Sequence, residues 1–194
     1  MRNENAFPDL SAPSDSLWTE SPIPSFPSLQ HSKETEVVVV GAGITGILTA
    51  YFLSKRGEKV ILLEAHRCLS GVTGHTTAKL TAQHHLTYHT ILSTFGKEKA
   101  REYYESNRNA IRLVEQIIQE HGIHCHYENK SAIGYAATGK GFKKIKKEAQ
   151  AYETLAIPGR LIEGNIQELP FDIKAPSNFP IRSNSTPLSF WRLY

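Results

Sequence analysis

Between Glu36 and Glu64 the chain leaves few choices of structure. Val37-Val38-Val39-Val40 is a β-branched run that stops at a glycine. Being apolar on both faces, it predicts a buried strand in a parallel sheet. Gly41-Ala42-Gly43-Ile44-Thr45-Gly46 follows. From Ile44 to Lys55, Ile47, Leu48, Tyr51 and Phe52 recur at helical spacing, and Gly57 is placed to end the helix. Lys59 leads into Val60-Ile61-Leu62-Leu63, a second buried strand closed by Glu64. Strand, helix and strand of these lengths make a βαβ unit of about the minimum size for one. The uncharged run Val37–Ser54 reaches the length read as a membrane span. The glycines at 41, 43 and 46 give that run a different explanation.

The six residues 41–46 read G-x-G-x-x-G between a predicted strand and a predicted helix, and an acid ends the next strand. That context distinguishes a dinucleotide fingerprint from a chance glycine cluster. Gly41 permits the tight turn out of the strand, Gly43 leaves room for a pyrophosphate, and Gly46 lets the helix pack closely. The free N–H groups and dipole of the helix start would hold the anionic phosphates. Glu64 can accept hydrogen bonds from the adenosine ribose and would repel a 2′-phosphate, which argues against NADP. Ala50, a small residue four beyond Gly46, extends the pattern along the inner helix face. The fingerprint serves FAD and NAD alike. A nicotinamide domain would continue from Glu64 into a helix and a third strand. The stretch Ala65–Lys79 instead reads as a Gly- and Thr-dense loop, suited to a second contact along an extended FAD.

The rest of the chain is organised around proline. Of the ten prolines, only Pro158 and Pro170 lie between residues 34 and 175. Residues 1–33 are rich in Ser and Pro and read as an extended arm. They lack an apolar h-region and do not read as a signal peptide. Residues 97–121 predict a long amphipathic helix, with Ala100, Tyr103, Tyr104, Asn107, Ala110, Ile111, Val114, Ile117 and Ile118 on one face and Gly122 at its end. Ser131–Ala137 predicts a strand. Gly141–Leu155 predicts a second amphipathic helix, with Phe142, Ile145, Ala149 and Tyr152 inward and Lys143, Lys144, Lys146 and Lys147 solvated. Ile162–Leu169 predicts a short strand. The resulting division is an arm (1–33), a Rossmann-like segment (34–95), a partial helical and substrate-domain segment (96–174) and a divergent, disordered tail (175–194). The fold class expected is α/β: a Rossmann-like βαβ unit with an incomplete parallel sheet, plus the start of a helical, α+β substrate domain.

Charge and cysteine count exclude several classes of function. Twenty-two Lys and Arg against nineteen Asp and Glu leave +3, too balanced for a dedicated nucleic-acid binder. Cys68 and Cys125 are too few for a disulfide framework or a four-cysteine metal site. His84, His85 and His89 could pair on a helix, and His124-Cys125-His126 sets three soft ligands in a row. Adjacent ligands on a strand point to opposite faces, so ordinary polar histidines are the expectation and no metal is assigned. A cytoplasmic protein with reduced thiols, and no integral membrane segment, is expected.

The fingerprint at 41–46, Glu64 and the run Thr73-Gly74-His75-Thr76-Thr77-Ala78-Lys79-Leu80-Thr81-Ala82-Gln83-His84 resemble the FAD-dependent oxidoreductases of the D-amino-acid-oxidase (glycine/sarcosine oxidase-like) superfamily. The likeness is greatest to the bacterial branch that carries a C-terminal Rieske domain. Phe95-Gly96, Glu98-Lys99-Ala100, Tyr103-Tyr104, Trp18, Ser21, Phe26-Pro27 and Leu29 also resemble that branch, over residues 18–174. The resemblance implies FAD as cofactor and hydride transfer from an amine- or hydroxyl-bearing carbon, the substrate being of the amine or amino acid class. It adds loop contacts to the fingerprint. The candidate cofactor residues are Gly41, Ala42, Gly43, Ile44, Thr45, Gly46 and Glu64, then Ala65, Arg67, Gly71, Thr73, Gly74, His75, Thr76, Thr77 and Lys79. His75 and Lys79 would set cationic groups by the flavin N1/C2 locus. No catalytic base is assigned. The resemblance also implies a truncated N-terminal part without the cysteine–histidine pairs of an iron–sulfur cluster, its tail past Lys174 arising from a frameshift. Such a product could be inactive and fail to retain cofactor. An NAD-binding module is the remaining alternative.

Overall fold

The computed structural model describes residues 23–136, 138–161 and 181–183, the last three by their backbone. They fall into two compact units that divide between Thr77 and Ala78, earlier than the segment boundary expected at residue 95.

In the first unit, β1 (Val37–Val40) and β2 (Val60–Leu63) pair in parallel, with Val37 opposite Val60 and Val40 opposite Leu63. Helix α1 (Ile44–Lys55) connects them. The register is pinned where the strands begin. Lys59 N–H donates to Glu36 Oε2 at 2.7 Å, and its carbonyl accepts from Thr35 Oγ1 at 2.5 Å and from Val37 N–H at 3.2 Å. The helix stops as its sequence implies. Lys55 lies in the last turn beside the negative end of the dipole. Gly57 takes φ +87 and its N–H closes on Ser54 O at 2.9 Å.

One expectation is corrected here. Four consecutive valines predict burial on both faces, but exposure alternates along β1: Val37 and Val39 are half-buried, whereas Val38 and Val40 are 52% and 82% exposed. Side chains on a strand alternate between faces, and α1 covers one face only. Among the described residues no second layer covers the other.

In the second unit, α2 (Tyr88–His121) is broken at Gly96, whose φ of 83° and ψ of 175° are not helical. The helix predicted over 97–121 is its longer arm. Gly122, at φ 58, ends it, with Ile123 N–H bonding back to Ile118 O at 2.9 Å. Helix α3 (Gly139–Leu155) starts two residues earlier than predicted, and Thr138 caps it, its Oγ1 accepting from Gly141 N–H at 3.1 Å. The faces read from the sequence are largely the ones that pack, although Ala110, expected inward, is exposed where α2 turns its side to solvent. Ala100, Tyr104 and Ile111 of α2 meet Ile145, Ala149 and Tyr152 of α3 in the core, while the four lysines of 143–147 are exposed.

A three-stranded antiparallel sheet completes this unit in the order β3 (Ala132–Gly134), β5 (Ile181–Ser183), β4 (Arg160–Leu161). The strand predicted over 131–137 is the short β3. Residues 181–183 were expected in a disordered tail, and instead they form the central strand. No apolar period marks them because a ladder is held by backbone groups, which leave no trace in composition. The strand predicted over 162–169, the arm up to residue 22 and the remainder of the tail lie outside the described residues.

Candidate functional site

The glycine turn joins β1 to α1, as the fingerprint requires. Gly41 takes φ +99, a conformation strained for any residue with a Cβ, and its N–H donates to Leu63 O at 2.7 Å. A Cβ on Gly46 would stand 1.8 Å from the Gly41 carbonyl oxygen and 3.6 Å from a Val39 methyl. Only glycine fits where helix and strand approach so closely. Gly43 is the N-cap, its carbonyl accepting from Ile47 N–H at 3.0 Å. A Cβ there would lie 3.3 Å from Thr73 Oγ1. The space over Gly43 therefore adjoins a side chain of the following loop as well as any phosphate.

Glu64 folds back onto the turn. Its Oε2 accepts from Ala42 N–H at 2.8 Å and its Oε1 from His66 N–H at 2.9 Å. These bonds, Ala42's first, hold the carboxyl below the ordinary carboxylate range, against a smaller desolvation effect. Each oxygen keeps a further lone pair for a sugar hydroxyl. Ala42 itself is fully buried, and its carbonyl accepts from Leu69 N–H at 3.0 Å. Both polar groups of this one residue thus tie β2 and the loop after it to the glycine turn. Leu69 was missed by the sequence reading, and no signal could have found it, since it acts through its backbone at φ 62.

The loop closes with a short 3₁₀ turn, Val72–His75. Ile44 N–H, in the first turn of α1, donates to Thr73 Oγ1 at 3.0 Å. Gly71 O accepts from Gly74 N–H at 3.1 Å and lies 3.0 Å from His75 Nδ1, so the imidazole rests on its own turn. Gly74 is buried, and Thr45, Ala65, Arg67, Gly71, His75, Thr76 and Thr77 are exposed. Gly41–Gly46, Glu64 and Thr73 are the candidates that hydrogen bonds and close approach gather in one place. Lys79 belongs to the second unit. There it lines an open groove of about 300 Å³ with Thr81, Gln83, His85 and Tyr135, floored by β3. Gln83 Oε1 is buried there with no hydrogen-bond partner among the described residues.

The other histidines have structural surroundings. His84 Nε2 lies 3.2 Å from Asn107 Oδ1, and His85 takes φ 58, ahead of the helix that carries His89. His85 and His89 therefore do not form a helical i, i+4 pair. Cys125 is buried, and that desolvation pushes its thiol up. Among the described residues no helix is long and apolar enough to cross a membrane.

A parallel βαβ unit with a glycine-rich turn and an acid returned onto that turn defines a Rossmann-like nucleotide-binding fold. The chain belongs to the DAO family of FAD-dependent oxidoreductases, which matches residues 36–176. It is 45% identical over 150 residues to YhfW of Bacillus subtilis, whose name gives it as a Rieske 2Fe-2S iron–sulfur protein; the match covers 77% of this chain and 30% of YhfW. It is 28% identical over 128 residues to the gamma-glutamylputrescine oxidoreductase of Escherichia coli, covering 66% of this chain and 30% of the enzyme. The fold resembles the L-amino acid deaminase of Proteus vulgaris at a TM-score of 0.64 and 15% identity, covering 88% of this chain and 42% of that one. Glycine oxidase of Bacillus cereus superposes at 0.55 and 16% identity, over 80% of this chain and 40% of that one. The chain spans about a third of the length of these curated relatives.

Proposed function

We propose that this chain carries the ADP half of FAD on the glycine turn, as the N-terminal part of a flavin-dependent oxidoreductase. The single observation that supports the reading most is the Glu64 carboxylate, 2.8 Å from Ala42 N–H. It sets an acceptor for ribose hydroxyls directly beside the phosphate-facing end of α1. In this reading Gly41–Gly46 receive the diphosphate, Glu64 the ribose, and the loop through Thr77 continues along the cofactor. FAD, when bound, supplies an acceptor for a hydride from a carbon bearing an amine or hydroxyl. The relatives' names, a putrescine-derivative oxidoreductase, an amino acid deaminase and a glycine oxidase, favour amines and amino acids as substrates. The chain's own residues contribute binding, orientation and a negative charge that disfavours a 2′-phosphate.

A second reading draws on a different observation. The open face at Val38 and Val40 exposes apolar surface that a finished parallel sheet would cover. A chain in that condition could fold without retaining cofactor. Purification followed by an absorbance spectrum separates the two. A flavin spectrum with about one FAD per chain supports the first reading. Colourless protein that takes up neither FAD nor NAD at equilibrium supports the second.

A further inference from the structure

Helix α3 opens on lysine. Lys140, Lys143, Lys144, Lys146 and Lys147 fall within eight residues, and no acid occurs from residue 129 to residue 147. Without these five, the chain has seventeen basic residues against nineteen acidic ones, so its positive balance comes from this one stretch. Lys140, Lys143, Lys144 and Lys147 are spaced i, i+3, i+4 and i+7, which sets them in one stripe about 10 Å long. All five lysines are exposed, while the inward side of the helix is committed to the core through Ile145, Ala149 and Tyr152. This arrangement works against the helix. Like charges four residues apart repel, and the first turn, where the dipole favours acids, contains none. The first acid after the lysines is Glu148, which is fully buried with both oxygens on backbone N–H groups of α2. Elsewhere in this unit exposed lysines stand beside an acid, Lys99 with Glu102 and Lys130 with Glu128, both at 2.8 Å. Among the described residues the lysines of α3 form no ion pair.

We propose that the lysine stripe of α3 is a docking face for an anionic phospholipid surface. Each lysine near such a surface adds favourable energy, the contributions accumulate over a cluster of this size, and headgroup charge relieves the repulsion within the stripe. The chemistry selects lipid over nucleic acid. Lysine is a point charge that suits a mobile field of headgroups, whereas fixed phosphates favour the planar fork of arginine, and the stripe has no arginine. Nor does it offer a ring for bases to stack on, because Phe142, the one aromatic residue in the stretch, packs on the core. None of the exposed large apolar side chains lies on α3, so attachment is shallow, electrostatic and reversible by salt. Such attachment is independent of whether the glycine turn holds FAD.

Flotation of the full chain with lipid vesicles tests this, since aggregated protein does not float. Vesicles of phosphatidylcholine with about one third phosphatidylglycerol should bind the chain at least about tenfold more tightly than phosphatidylcholine alone, and raising salt from about 0.05 M to about 0.5 M should abolish the difference. Lys143→Gln combined with Lys147→Gln removes two charges with little change in helix propensity, and should weaken binding to the anionic vesicles about tenfold or more. Lys99→Gln combined with Lys130→Gln removes the same charge from paired positions and should stay within about twofold of the parent chain. Lys143→Arg combined with Lys147→Arg should bind like the parent. Equal binding to neutral and anionic vesicles overturns the proposal. So does an equal loss in the two glutamine pairs, which would reflect net charge and not this face. A loss in the arginine pair as large as that in the Lys143/Lys147 glutamine pair overturns it as well, since the charge is kept. Tighter binding to a DNA or RNA duplex than to the anionic vesicles at the same salt overturns it in favour of a nucleic acid.

Discussion

The carboxylate of Glu148, in α3, accepts a hydrogen bond from the backbone N–H of Tyr88, in the first turn of α2, at 2.8 Å. Its other oxygen accepts from His89 N–H at the same distance. A helix start leaves N–H groups without partners, and the local cap residue Thr87 makes no side-chain bond to them. An acid sixty residues downstream does so instead. It is fully buried, beside Tyr88 and Tyr152. Tyr88 is packed edge-on against Tyr103, Tyr104 and Tyr152, with centroids 5.3–6.0 Å apart.

Replacing Glu148 should therefore be costly. Glu148→Ala orphans the buried Tyr88 N–H and the half-buried His89 N–H and leaves a hole, and should destabilise the second unit by about 2–4 kcal/mol in urea unfolding. Glu148→Gln keeps the volume but turns an amide nitrogen toward one of the two N–H groups, so it should lose at least half as much. Burial raises the Glu148 carboxyl pKa, although the backbone donors at the start of α2, His89's first, pull it the other way. A group whose folded pKa is raised favours the folded chain most below its unfolded value, near 4.5, and that advantage is lost as pH rises through the folded value. The stability difference between parent and Glu148→Gln should shrink from pH 4 upward. A difference that widened instead would mean that the capping bonds outweigh burial.

Gly46→Ala should be among the most damaging single-methyl changes in the chain. The new carbon would lie 1.8 Å from a backbone oxygen, so helix and strand must part. A loss of about 3 kcal/mol or more is expected, together with loss of any FAD binding. Gly71→Ala is the control. Its φ is −84 and nothing lies within 4 Å of the added carbon, so the change should fall within about 0.5 kcal/mol of the parent. Unfolding curves of the two variants, run side by side, check both.

How much of this could be read beforehand follows from where the information lies. The βαβ unit was legible because periodicity, the glycine spacing and the closing acid agree over fewer than thirty residues. The inward faces of α2 and α3 were legible for the same reason. Glu148 was not, because an acid two turns into a lysine-rich helix reads as solvated until its partner, sixty residues away, is known. Leu69 and β5 act through backbone groups, which every residue type carries. The valine run misled because composition records that a residue is apolar, not whether anything covers it. Thr73 was counted among the cofactor residues, but its bond to Ile44 N–H follows from the loop's path and not from its sequence.

Glu64 should respond to pH in the opposite sense from Glu148. Backbone donors, Ala42's first, lower its pKa, so its contribution is present above the unfolded value, near 4.5, and fades only as pH falls through the folded one. If the glycine turn binds FAD, Glu64→Gln should weaken it roughly tenfold at pH 7 by losing the charged acceptor for the ribose. The loss should be the same at pH 6 and pH 8, since the carboxylate stays ionised throughout. Fluorescence titration of FAD at the two pH values reads this directly. A loss that varied across that range would place the titrating group elsewhere.

Val40 tests the open face of the first unit. Its side chain is 82% exposed, in a strand whose other face packs on α1. Val40→Thr keeps the β-branched shape that the strand favours and replaces a methyl by a hydroxyl facing water. Folding stability should change by less than about 0.5 kcal/mol. Self-association should fall, because contiguous exposed apolar surface promotes aggregation. Val39→Thr, on the covered face, should instead destabilise by about 1–3 kcal/mol, because its hydroxyl enters the side packed by the helix. Static light scattering and urea unfolding of the two variants separate the faces. Equal stability losses at Val39 and Val40 would mean that both faces are covered in solution, and that the chain associates through the face that the isolated unit leaves open.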